Sequence, residues 1–184
     1  MATVLVPLAQ GCEELEAVTI VDLLRRASIE VITAGLDDQP VVASHGMVLI
    51  ADMSLDQALR KDYDMIVLPG GLPGADHLDQ DPRIQSLLKK MSSKGKYIAA
   101  ICAAPKVLAS AGLLDGRQAT SYPGSLDGCS ISNMDYREQA VVIDDKLITS
   151  RGPGTAMDFA LSLIEQLLGQ DKRAAVEAPL QRPG

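Results

Sequence analysis

No apolar run in the 184-residue chain approaches the roughly 20 residues needed to cross a bilayer, so no membrane contact is expected. Low-complexity tracts and internal repeats are missing too, which excludes a disordered chain and a solenoid. Base is in deficit, with 17 Lys and Arg against 24 Asp and Glu and a formal charge of −7. A nucleic-acid surface needs a basic stripe to neutralise phosphates, so no specific nucleic-acid surface is expected. Cysteine and histidine are scarce. Cys12, Cys102 and Cys129 are odd in number without CxxC spacing, and the histidines are His45 and His77. That set predicts neither a metal site nor a disulfide framework. Met1–Gln10 lacks the basic segment of an export leader, leaving the cytoplasm, where thiols stay reduced, as the expected compartment.

The rest is the balance of a soluble globular chain, 47% hydrophobic and 22% charged, long enough for one core. One domain over residues 1–184 is expected, with a loose tail from about Pro179. Thr3–Leu8 is a short β-type run ending at Gly11. Residues 13–28 carry apolar side chains at helical spacing (Leu15, Val18, Val21, Leu24) behind an acidic first turn. Strands are predicted over 29–36 and, weakly, 47–50, and Ser54 with Gln57 has the spacing of a capping box. Residues 63–68 form a strand ending at Pro69-Gly70-Gly71. Asp81-Pro82 opens a helix to about Ser93. Residues 96–101 are a strand, 103–111 a helix and 117–121 another strand, and 124–136 reads as irregular. Residues 140–143 and 146–149 make a hairpin across Asp144-Asp145, and helices follow over 153–168 and to about Glu177. Strands alternating with helices imply right-handed crossovers and a doubly wound, mostly parallel α/β sheet with helices on both faces.

In such sheets ligands bind beyond the carboxyl ends of the strands, at the point where strand order reverses. Three strand ends carry candidate groups. Ile98–Pro105 runs from a buried strand through Cys102 directly into a helix, which resembles a nucleophile elbow. A thiol at a helix N-terminus is expected to ionise more readily. A small core cysteine is an equal reading of the same residue. Pro69-Gly70-Gly71 lets backbone amides face a ligand, or merely reverses the chain. Gly11–Glu16 places Glu13 and Glu16 on one side of a first helical turn. A carboxyl beside a thiolate can stay protonated and donate to sulfur, although surface acids complementing the helix dipole read the same way. Cys129 and His77 read as an ordinary thiol and a surface residue.

Read together, these segments resemble the DJ-one/ThiJ/PfpI superfamily, in its DJ-one-like branch. The shared text is Gly11-x-Glu13-Glu14-x-Glu16, Val21–Ala27, Tyr63–Gly71, Ile98–Pro105 and Thr149–Thr155, in register over about residues 3 to 180. The resemblance implies a flavodoxin-like sandwich akin to class I glutamine amidotransferases, a homodimer, and no cofactor. It implies Cys102 as a low-pKa nucleophile that oxidises to sulfinate, Glu16 as its protonated partner, and an oxyanion site at the amides of Gly71 and Ala103. The activities it implies are glyoxalase conversion of methylglyoxal and deglycase action on glyoxal or methylglyoxal adducts of proteins or nucleotides. The alternative it carries is a non-enzymatic redox sensor or redox-regulated chaperone.

Tyr122-Pro123 stands where histidine-bearing members carry the histidine, leaving Glu16 to move protons alone. Ile50 replaces a second cysteine. Cys12 is this chain's own and is expected near Cys102, and His45 occupies the place of an arginine near the dimer seam. A peptidase of the family requires a histidine after the nucleophile, where this chain has Ala103.

Overall fold

A computed structural model describes residues 1–182. In chain order the elements are β1 (Thr3–Leu8), α1 (Glu14–Arg26), β2 (Glu30–Gly35), β3 (Val41–Val42), β4 (Val48–Leu49), β5 (Met53–Ser54) and α2 (Leu55–Ala58). They continue with β6 (Met65–Leu68), α3 (Gly74–Gln80), α4 (Pro82–Ser93), β7 (Tyr97–Ile101), α5 (Pro105–Ser110), β8 (Gln118–Ala119) and β9 (Asp135–Tyr136). The last are β10 (Val141–Asp144), β11 (Leu147–Ser150), α6 (Ala156–Leu168) and α7 (Gln170–Glu177).

Seven strands form one sheet in the order β10-β11-β7-β6-β1-β2-β5. Every neighbour pair is parallel except the β10–β11 hairpin at the edge. The β1 and β7 runs are buried along their length after the first residue, as expected of strands covered on both faces. Ile20, Leu24, Phe159 and Ile164 close one face, bringing α1 and α6 together there. Ile84, Leu88, Val107 and Leu108 close the other with α4 and α5. From β1 the chain winds outward through β2 to β5, returns to β6 on the opposite flank of β1, and winds outward again through β7 and β11. Strand order therefore reverses between β1 and β6, the point beyond whose strand ends such sheets bind ligands.

Several local expectations are corrected. Only half of the expected stripe Leu15, Val18, Val21 and Leu24 faces the core: Leu24 is buried and Val21 packs partly buried against that core. Leu15 and Val18 are half exposed, and α1 also buries Glu16, Ala17, Ile20 and Leu23. The helix has a second apolar face, and spacing alone does not say which one the sheet takes. Helix α3 has no counterpart in the expectations, because its seven residues GADHLDQ are too short to show a period. The strand expected over 47–50 pairs as a small hairpin with β3, while β5 takes the sheet edge. The strand expected at 117–121 shrinks to β8, which pairs only with β9. The tail is not loose through residue 182. Ala178–Leu180 forms a 3-10 turn, and Arg182 pairs with Asp158 and with Glu177, the latter at 2.8 Å. Residues 183 and 184 of that expected tail lie outside the described residues. Among the described residues no helix is long and apolar enough to cross a membrane.

Candidate active site

Three segments meet where strand order reverses: those that follow β1, β6 and β7. The β7 strand ends at Ile101, and the next residue, Cys102, adopts φ of 63°, a left-handed conformation unusual for a side chain with a β-carbon. Two backbone bonds hold it there. Its N–H donates to the Ser150 carbonyl at 3.0 Å, and its carbonyl accepts from the Tyr122 N–H at 2.9 Å. Ala103 and Ala104 complete a turn before α5 starts at Pro105, so the strand passes into the helix through a sharp bend with the sulfur at its apex. The residue is 9% exposed.

Glu16 comes from the first turn of α1 and is fully buried. Its Oε2 accepts the Gly70 N–H at 2.8 Å, whereas Oε1 has no hydrogen-bond partner among the described residues. Burial raises this carboxyl from 4.5 to about 7 against the Gly70 amide and the thiol, with a further push from Glu13. Gly70 allows the approach. A β-carbon there would stand 2.6 Å from Cys102 Cβ and 2.8 Å from Glu16 Oε2. Gly71 follows with φ of 88°, and a β-carbon on it would lie 2.3 Å from the Glu13 nitrogen. The amides of Gly71 and Ala103 act on the Cys102 sulfur in the sense that favours thiolate.

The expectation of a low-pKa thiol is corrected in its physics. Burial first, and the ionised Glu16 beside it second, push Cys102 up to about 12 against those two amides. Helix α5 starts three residues beyond the sulfur and is six residues long, so its N-terminus is not at the thiol. Protonating Glu16 removes the repulsion and supplies a donor. The thiolate therefore forms together with the protonated acid, as one proton shared by two sites.

Cys12 does lie in this neighbourhood, through its backbone. Its carbonyl carbon would be 2.7 Å from a β-carbon on Gly71, and its nitrogen 2.6 Å from one on Gly74. Its thiol is buried, and burial followed by the Glu14 charge raises it to about 11, so it stays protonated. His45 is exposed on the β3–β4 turn, where its Nδ1 approaches Glu14 at 3.3 Å and Glu13 at 3.5 Å. Glu14 also accepts from the His45 N–H at 2.9 Å and Ser44 Oγ at 3.0 Å. Against its burial, these bonds and the Met47 amide hold that carboxyl down at about 2. Ligand atoms of Glu13, Glu14 and His45 lie within 4.8 Å of one another. Because Glu14 is already saturated by this turn, the group serves as a clamp that fastens the β3–β4 turn to α1. His77 Nδ1 donates to the Gln10 carbonyl at 2.9 Å, and Cys129 is half-buried in the irregular segment.

Tyr122 is 51% exposed, with its ring against Gly152. A β-carbon on Gly152 would be 3.3 Å from Tyr122 Cδ2 and 3.9 Å from Cys102 Sγ, so ring and sulfur flank the same gap. The structure thus adds Gly70, Ser150 and Gly152 to the site. Gly70 lies within the Pro-Gly-Gly turn, and the other two lie in Thr149–Thr155, a segment quoted for its resemblance without a role. The signal for Gly152 was a glycine two residues past a strand end.

A family model for the DJ-1/PfpI family matches residues 2–166. Protein DJ-1 homolog B of Arabidopsis thaliana is 44% identical over 172 residues, covering 92% of this chain. The chain matches 39% of that protein's length, so it spans well under half of this relative. The glutathione-independent glyoxalase DJR-1.2 of Caenorhabditis elegans is 37% identical over 179 residues, covering 97% of this chain and 95% of that one. The crystal structure of Drosophila melanogaster DJ-1beta superposes with a TM-score of 0.94 at 41% identity, over 100% of this chain and 99% of that one.

Proposed function

Because the chain belongs to the DJ-1/PfpI family, we propose that it is a cysteine-dependent carbonyl-stress enzyme that converts methylglyoxal, free or as an adduct, to a hydroxy acid. The observation that carries this reading is the convergence of Glu16 and Cys102 across Gly70, with the Gly71 amide at the same point. A relative of nearly full-length coverage that is named a glyoxalase supports it.

The Cys102 thiolate attacks the aldehyde carbon. A C–S bond forms, and the carbonyl electron pair moves onto oxygen, where the Gly71 and Ala103 amides hold it. Glu16 gives its proton to that oxygen and then, as the carboxylate, takes the hydrogen of the same carbon as a proton to leave an enediolate. It returns this proton to the neighbouring carbon while the hydroxyl proton passes to the neighbouring oxygen. The product is a lactoyl thioester. Water then cleaves the C–S bond, releasing lactate and restoring the thiol, so the sum is methylglyoxal plus water with no oxidant. A carboxyl near pH 7 is well matched to taking and giving a proton at neutral pH. In a hemiaminal adduct the C–N bond breaks as the C–S bond forms, Glu16 gives the departing amine its proton, and the same hemithioacetal results.

The test is lactate formation from methylglyoxal by wild type, Cys102→Ser and Glu16→Gln. Loss of at least about 10²-fold in kcat is expected in both variants. A wild type no faster than Cys102→Ser ends the enzymatic reading. The rival redox reading draws on the same amides, which suit a sulfinate as well as an oxyanion. Peroxide treatment that adds two oxygens at Cys102 in a protein inactive on every carbonyl would favour it.

We further propose that a second copy of the chain covers the half-exposed face of α1 (Leu15, Val18) and the adjoining Met47, Val48 and Ile50. Val18→Glu is expected to give a monomer by light scattering. A wild type already monomeric at micromolar concentration removes the dimer.

A further inference from the structure

We propose that Tyr122 and Tyr136 form an aromatic docking edge beside Cys102 that favours carbonyl substrates bearing a flat, unsaturated ring. The proposal rests on Cys102 as the nucleophile and names the substrate class for that site. The chain has four tyrosines, one phenylalanine and no tryptophan. Tyr63 and Phe159 are buried in the core, and Tyr97 is committed: its hydroxyl donates to the Gln166 carbonyl at 3.1 Å and its ring carries the Lys146 ammonium at 3.8 Å. Tyr122 and Tyr136, 51% and 38% exposed, are the exposed aromatic side chains among the described residues. They are neighbours. The Tyr136 hydroxyl donates to the Ser121 carbonyl at 3.2 Å, and the next amide, that of Tyr122, donates to the Cys102 carbonyl at 2.9 Å. One chain of bonds therefore ties both tyrosines to the nucleophile.

The ring of Tyr122 is also held at its edge. It lies over Gly152, whose missing side chain leaves the gap between the ring and Sγ open. A substrate whose carbonyl carbon is bonded to Sγ has its α-substituent within reach of that gap. A methyl group there gains little from a π-face, whereas a planar ring can stack in the offset geometry aromatic pairs prefer, corresponding to about 2–10-fold in affinity. Two sources carry such a ring: an aryl glyoxal, and a nucleobase bearing a dicarbonyl adduct, since every base presents a π-face. Tyr122 is thus a specificity residue, and Tyr136 is a positioning residue that fixes the Ser121 carbonyl behind it.

The experiment uses two readouts. In the first, the full chain is alkylated at Cys102 with N-phenyliodoacetamide and with iodoacetamide, and the rate ratio is read by peptide mass. The ratio is expected to fall about 3–10-fold in Tyr122→Leu, to survive in Tyr122→Phe, and to fall partway in Tyr136→Phe. Tyr136→Leu gives the same comparison if Tyr122→Leu does not fold. In the second, kcat/KM is compared for phenylglyoxal against methylglyoxal and for the methylglyoxal adduct of guanosine against that of N-acetyl-lysine. The ring-bearing member of each pair is expected to win through KM, with the same order of variants, and the pair with the larger contrast identifies the source. An alkylation ratio equal in wild type and both leucine variants overturns the docking edge, whatever the turnover. Absence of turnover on all four substrates, with the alkylation ratio still dependent on Tyr122, overturns the enzymatic reading and leaves the edge standing.

Discussion

Glu16 and Cys102 face each other across the bare α-carbon of Gly70, so close that a β-carbon there would be 2.8 Å from the Glu16 oxygen and 2.6 Å from Cys102 Cβ. The acid comes from helix α1, after β1, and the thiol from the turn between β7 and α5, yet nothing larger than hydrogen fits between them at that point. They titrate as one unit.

That coupling sets the pH course of thiol reactivity. With Glu16 raised to about 7 and Cys102 to about 12, the first proton leaves the pair near neutrality and the second only in strong base. Iodoacetamide labelling of Cys102 is expected to rise through about pH 7, level off, and rise again toward pH 12. Glu16→Gln removes the charged neighbour, so one step between those limits is expected. A single wild-type step near the free-thiol value of about 8.5, shared by all three cysteines, contradicts the coupling.

The same carboxyl imposes a pH slope on stability. A folded-state value raised from 4.5 to about 7 means that the fold favours neutral Glu16. Its contribution is complete below pH 4.5 and is lost as pH rises through about 7, amounting to about 3 kcal/mol. Urea unfolding of wild type and Glu16→Gln at several pH values should therefore diverge over that window, the variant lacking the loss. Parallel curves would mean that Glu16 is solvated and ionised in the fold.

Backbone geometry predicts which small changes are intolerable. Gly70→Ala must push Cys102 or Glu16 aside, and Gly71→Ala meets the Glu13 nitrogen at 2.3 Å while its φ of 88° disfavours any side chain. Both are expected to lower kcat by about 10²-fold or more by displacing the amides that hold the oxyanion. Gly46→Ala is a control for glycine replacement: it also has positive φ, at 89°, but meets nothing within 4 Å. Full activity in Gly71→Ala would remove its amide from the reaction.

Strain at the nucleophile is measurable too. Cys102 holds φ of 63° at the apex of its turn, and only its chemistry requires a side chain there. Cys102→Gly is expected to be more stable than Cys102→Ala by about 1 kcal/mol, because glycine adopts that conformation freely. Thermal or urea denaturation of the pair decides it, and an alanine variant of equal stability would mean the turn carries no strain.

What the sequence made legible follows the physics of each signal. The strands β1, β6 and β7 are apolar runs stopped by glycine or cysteine, and such runs have one interpretation in a covered parallel sheet. Cys102 stood out because it follows such a strand directly. Helix α1 was legible as a helix but not in its orientation, since Leu15 and Val18 offer an apolar stripe beside the true core stripe of Ala17, Ile20 and Leu24. The partnership of Glu16 with Cys102 rested on resemblance: 86 positions separate them, and no local pattern reports a contact of that range. The high thiol pKa was illegible for a related reason. Burial and the charge of Glu16 act through space, whereas a helix N-terminus can be read from neighbouring residues.

The reversal of strand order between β1 and β6 has a kinetic meaning as well. Because the site takes Glu16 from after β1, the Gly70-Gly71 turn from after β6 and Cys102 from after β7, no contiguous fragment of the first half of the chain contains it. Closing it requires loops of long sequence separation to be ordered together, the costliest kind of contact for a folding chain to form. Helices that form early leave the sulfur without its acid and its amides. A newly made or misfolded chain therefore carries an ordinary thiol, and the paired, tuned one emerges only when the whole sheet has assembled. Reactivity at Cys102 is a marker of completed folding.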